Sequence, residues 1–68
     1  MGNYYLKVEV MFYYLSTMVS EKRMITKYYE EPQENAEKAL KDCIDLFYST
    51  YNGCEIISFT IKTNALNG

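Results

Sequence analysis

The side chains in this chain that could do chemistry are mostly acids and phenols. Nine carboxylates, eight tyrosines and two cysteines stand beside seven cations, of which Arg23 is the only arginine, and histidine is absent. Without histidine, the side chain that titrates nearest neutrality is missing, and so is the usual base of Ser or Cys triads. Glu30-Glu31 and Asp42/Asp45 are paired carboxylates of the type that acid–base chemistry uses. Six acids crowded between residues 30 and 45 read more simply as a solvated edge. Cys43 and Cys54 fall within apolar patterns, so both are expected as free thiols in small apolar positions. A disulfide or metal pair is the sharper alternative, but two cysteines without histidine make only half a zinc site. Gly2, Gly53 and Gly68 form no phosphate-cradling loop. No enzyme, cofactor or metal centre is expected.

The tyrosines point to binding instead. Tyr4-Tyr5, Tyr13-Tyr14 and Tyr28-Tyr29 are doublets within segments that read as strands. Adjacent strand residues point to opposite faces, so each doublet sets one amphipathic ring on either side of a sheet. A single helix can cover one face of that sheet and hardly both, so the spare aromatic surface should meet another molecule.

The elements that carry these rings are legible from periodicity. Leu6, Val8, Val10, Phe12 and Tyr14 alternate with Tyr5, Lys7, Glu9, Met11, Tyr13 and Leu15, which predicts a strand over 4–15 with the first set facing the core. Its extension to Met18 would precede a polar turn at Ser20-Glu21-Lys22, which lacks a tight hairpin dipeptide. Residues 23–30 form the return strand. Pro32 suits a first helical position, and Glu31 and Glu34 complement the helix dipole there. The helix is expected to run to about Tyr51, along a stripe of Ala36, Leu40, Cys43, Phe47 and Tyr51, and to end at Asn52-Gly53. A third strand follows over 55–63, with Ile57, Phe59 and Ile61 on its apolar side, and the tail from Asn64 to Gly68 reads as frayed.

The fold class is therefore α+β: β-β-α-β, a three-stranded sheet with one helix packed on one face, dimeric, in a single domain over 1–68 whose ordered core spans about 4–63. The long connection through the helix lets strand three pair beside strand one, parallel to it if the helix makes a crossover. At 68 residues and 49% hydrophobic composition, a core forms with little stability in reserve, and pairing of two copies is a common remedy. No apolar run approaches the roughly 20 residues of a membrane span, and the start lacks the pattern of a signal peptide, so a cytoplasmic location is expected. The net charge of −2 is uneven. Residues 30–45 set six acids against Lys38 and Lys41, while the rest of the chain sets Glu9, Glu21 and Glu55 against five cations. That leaves no basic face for nucleic-acid phosphates, so neither nucleic acid nor membrane is an expected partner.

Three islands carry a resemblance. Lys27-Tyr28-Tyr29-Glu30 ends the second strand, Phe47 and Tyr51 stand one helical turn apart, and Glu55-Ile56-Ile57 opens the third strand. In this β-β-α-β order, residues 27–57 resemble the small dimeric uracil-DNA glycosylase inhibitors of Bacillus phages. The interval from Tyr-Tyr-Glu to Phe47 is about seven residues longer than in that family, close to two helical turns, which keeps Phe47 on its face. Tyr48 stands where the family carries an acid. The resemblance implies a homodimer that occupies the DNA-binding site of the host uracil-DNA glycosylase by mimicry, in the host cytoplasm. Carboxylates would stand in for phosphates, and an apolar pocket would take the side chain that the enzyme inserts at a flipped nucleotide. Phe47 would wall that pocket, Tyr51 would support it, and Glu30, with Tyr29 and Tyr48 beside these, would meet the DNA-binding groove.

Two other readings compete. One is a phage or bacterial interaction module that blocks another host protein, such as a nuclease or CRISPR effector. The other is an RNA-binding sheet on which Tyr5, Tyr13 and Tyr29 share a face with Lys7, Lys27 and Lys62.

Overall fold

The computed structural model describes residues 4–67 as three strands and one helix in the order β1 (Tyr4–Tyr14), β2 (Ser20–Tyr29), α1 (Ala36–Thr50) and β3 (Cys54–Ala65). The sheet order is β2-β1-β3, and both pairings are antiparallel. β1 is central because its alternation is the longest in the chain. Leu6, Val8, Val10 and Phe12 are fully buried on one face, under the helix. The ten-residue core adds Ile25, Ala39, Cys43, Phe47, Cys54 and Leu66.

β3 lies beside β1 as expected but runs antiparallel to it, not parallel. β2 ends with Tyr29 opposite Tyr4, and β3 begins with Cys54 opposite Tyr14. A helix of 15 residues rises about 22 Å at 1.5 Å per residue, enough to carry the chain back along the sheet. The crossover therefore makes β3 parallel to the strand before the helix, β2, and passes over β1 on the way.

Three boundaries also differ from expectation. The β1–β2 turn falls at residues 15–19 rather than at Ser20-Glu21-Lys22, closed by Tyr14 N–H on Val19 O at 3.0 Å. Met18 adopts φ 60° there. Glu21 instead sits in β2, opposite Phe12, and pairs with Arg23 at 3.0 Å. The helix begins at Ala36, not at Pro32, because the Asn35 side chain accepts from Lys38 N–H at 3.1 Å and caps it. The preceding backbone is used otherwise: Gln33 N–H donates to Leu66 O at 2.8 Å. That bond bears on the third difference. The tail is not frayed through Leu66, since Asn64 and Ala65 belong to β3 and Leu66 is 3% exposed. Gly68 lies outside the described residues. At the other helix end, Tyr51 N–H reaches Phe47 O at 2.8 Å and Gly53 takes φ +72°, a left-handed conformation that glycine adopts without steric cost.

The helix packs over β2 and β1. Phe59 and Ile61 of β3 pair with Val10 and Val8, so they share the helix-side face, yet each remains 44% exposed. The apolar side of β3 is largely bare.

Candidate interaction surface

Each expected site residue occupies a distinct environment. Phe47 is wholly buried, packed edge-on against Phe12 at 4.8 Å between centroids and stacked with Tyr51 at 5.0 Å. In a single copy its ring belongs to the core and walls no open pocket. The reason is geometric: Phe47 lies in line with Cys43 and Ala39, the stripe pressed onto the sheet. Tyr51 is half-buried at the helix cap, against Phe12 at 5.5 Å. Tyr48 is the ring that faces outward. It is 41% exposed and leans edge-on against Phe47 at 5.4 Å, so the core props it.

Tyr29 and Glu30 lie toward the opposite end of the helix. Tyr29 faces the helix, and its hydroxyl donates to Asp42 Oδ2 at 2.9 Å. Burial first, and then that carboxylate, push its phenol well above the ordinary tyrosine value of 10.0. Tyr29 thus ties β2 to α1 and acts mainly as a strut. Glu30 is exposed just beyond β2. With Glu31, Asp42, Lys27 and Gln33 it lines an open cleft of about 410 Å³.

The acids are therefore not spread evenly along the helix. Glu30, Glu31 and Glu34 cluster in the lead-in with no cation among them, whereas on the helix Glu37, Asp42 and Asp45 are nearly balanced by Lys38 and Lys41. Lys41 and Asp45 form an exposed pair at 3.6 Å, a contact of little energetic weight. The result is an acidic pole at the start of α1 and an aromatic pole at its end.

The face of the sheet away from the helix is mixed. Tyr5 and Tyr28 tilt together at 5.7 Å, Lys7 lies 5.8 Å from the Tyr5 ring, and Lys62 pairs with Glu9 at 3.7 Å. Tyr29 and Lys27 pair opposite Tyr4 and Leu6, on the helix side, so they do not share a face with Tyr5, Tyr13 and Lys7. The aromatic-basic platform required by an RNA-binding sheet is split between two faces.

Both cysteines are free and buried. The Cys43 thiol points to Leu6 O at 3.9 Å, and burial pushes it up from its ordinary value. Among the described residues no cluster of three potential metal ligands occurs, and no helix is long and apolar enough to cross a membrane. Sequence reasoning named Tyr48 but could not show that the buried Phe47 ring props it, and it missed the bareness of β3, which depends on where the helix lies. Compared with known proteins, the chain matches no protein-family model, no curated protein and no solved structure. What fold and surface define is a small α+β protein with an acidic lead-in before its helix and an exposed aromatic ring near the helix end.

Proposed function

We propose that this protein is a homodimeric inhibitor that occupies the DNA-binding site of a host uracil-DNA glycosylase, acting in the host cytoplasm as a phage product. The supporting observation is the segregation along α1: uncompensated carboxylates Glu30, Glu31 and Glu34 at its start, and the exposed Tyr48 ring, braced by Phe47, at its end. A DNA-binding groove is basic where it holds phosphates and apolar where it inserts a side chain, so it complements both poles. The acidic pole steers the encounter and the aromatic pole supplies contact area. Phe47 acts in this scheme from within, by holding Tyr48 in place.

Uracil excision measured against increasing inhibitor tests the reading. Stoichiometric inhibition that weakens with added salt is expected, because exposed charges are screened. Tyr48→Ala should keep the fold and lose at least ~2 kcal/mol of binding, as for an interface hot spot. Phe47→Ala should instead cost about 3–5 kcal/mol of stability, since it empties a core site. Undiminished excision at inhibitor excess would exclude the glycosylase as target, and capture of a nuclease or CRISPR effector from host lysate would replace it.

A further inference from the structure

We infer that the β1–β2 turn, residues 15–19, is an apolar tip that docks the protein on a lipid bilayer by inserting Leu15, Met18 and Val19 to the boundary between headgroups and acyl chains. This goes beyond the proposed function and uses a different end of the molecule. Every residue of the turn is exposed, and the turn stands at the end of the sheet where Tyr13 pairs with Ser20. The acidic lead-in follows Tyr29 at the other end, where Tyr29 pairs with Tyr4. The apolar side chains of the turn are among the barest in the chain, with Met18 67%, Val19 55% and Leu15 51% exposed. A protruding turn cannot bury such groups within its own chain, and it sheds their water by entering an apolar medium.

The backbone of the turn is already prepared to leave water. The N–H groups of the same three residues are all bonded: Leu15 to Gly53 O at 2.9 Å, Met18 to Tyr14 O at 2.6 Å and Val19 to Thr17 Oγ1 at 3.4 Å. A bare donor is costly at the edge of hydrocarbon, and these three avoid that cost. The bond to Gly53 also ties the tip to the turn that follows the helix. Met18 adopts φ 60°, a conformation that turns ordinarily give to glycine or asparagine. A long apolar side chain there does nothing for the turn, and its use is at the apex that it occupies.

The surroundings fit the same medium. Behind the tip, Tyr13 and Tyr14 close β1 and Tyr51 caps the helix, a level of phenols suited to a membrane–water boundary. Charge does not oppose the contact. From Phe12 to Arg23 and from Phe47 to Ile56 the charged residues are Glu21, Lys22, Arg23 and Glu55, which sum to zero. Glu30, Glu31 and Glu34 lie beyond the far end of β1, whose 11 residues span about 33 Å, several Debye lengths at physiological salt. The lack of a basic face rules out attraction by headgroup charge, whereas this contact rests on apolar burial. Three side chains bury less than one acyl chain, so the partition constant falls below the roughly 10⁴ M⁻¹ of a myristoyl group.

Vesicle co-sedimentation and a placed tryptophan test the tip. The chain has no tryptophan, so Leu15→Trp and Tyr28→Trp each report one end of the sheet. With phosphatidylcholine vesicles at millimolar lipid the parent should co-sediment. Leu15→Trp emission should shift to the blue and be quenched by brominated acyl chains, and Tyr28→Trp should do neither. Added salt, or phosphatidylglycerol in part of the lipid, should change binding by less than about twofold, because the tip end is neutral. The triple variant Leu15→Ser, Met18→Asn, Val19→Ser, whose asparagine tolerates the left-handed position, should stay folded by circular dichroism and lose at least about tenfold in partitioning. A parent that stays in the supernatant with both vesicle types overturns the inference. So does co-sedimentation that the triple variant retains, or a Leu15→Trp signal that brominated lipid leaves unquenched. A Leu15→Trp signal that moves only when the glycosylase is added assigns the tip to that protein and overturns it too. Vesicle binding with unimpaired uracil excision would retain the tip and reject the glycosylase reading, and inhibition without vesicle binding would do the reverse.

Discussion

Two tyrosines show how far a residue's type fails to settle its role. Tyr28 and Tyr29 are adjacent and chemically identical, yet Tyr28 is 68% exposed while Tyr29 bonds Asp42 beneath the helix. The Tyr29 phenol is raised from 10.0, by burial first and then by the Asp42 carboxylate. An acid raised in the fold ionises more readily in the unfolded chain, so its contribution to stability is intact below the unfolded value. It is lost as pH climbs from about 10 towards the higher folded value. Urea unfolding across this alkaline range should show stability falling for the parent. Tyr29→Phe should cost about 1 kcal/mol at neutral pH, the net worth of one such hydrogen bond, and should flatten the alkaline fall. The same distinction separates Phe47 from Tyr48. Both are large rings on one helix; spacing put Phe47 on the apolar stripe, and it was the family resemblance that ranked it as the contact residue. Burial reverses that order, because only Tyr48 can reach a partner without unfolding the core.

At the scale of elements, periodicity was the reliable signal, and punctuation held at the helix end, where Gly53 takes φ +72°, but not at its start. Strand β1 and the helix stripe emerged from apolar spacing because burial repeats with the geometry of the backbone. Pro32 was a sound candidate for a helix start by local chemistry, but two competitors decided otherwise. Asn35 caps Lys38 N–H, and Gln33 N–H is taken by Leu66 O. Asn35→Ala should therefore destabilise by about 1 kcal/mol, as loss of an N-cap does, whereas Pro32→Ala, outside the helix and exposed, should be nearly neutral. Thermal melts of the two variants check this, and equal effects would mean that the helix starts earlier than Asn35. The β1–β2 turn carried no strong dipeptide, and its position followed from the register of the flanking strands.

At the scale of the molecule, stability and binding draw on the same limited apolar surface. A core of ten buried residues in a chain of this size holds only about 3–5 kcal/mol in reserve. Leu66, near the end of the chain, is one of the ten and sits against the segment leading into the helix. Leu66→Ala should cost about 2–5 kcal/mol, enough to leave much of the protein unfolded, and denaturant titration measures it. Unchanged stability would mean that the tail does not close the core.

From the order of residues alone came the class of fold, the buried face of β1, the helix stripe, the uneven charge and the absence of histidine, because each is a local pattern or a count. Three-dimensional packing alone decided the direction of β3, the sealing of Phe47, the strut role of Tyr29 and the bare flank beside the helix. These depend on where one helix lies on a sheet wider than itself. That is a contest among distant residues for the same space, and no local spacing records its outcome.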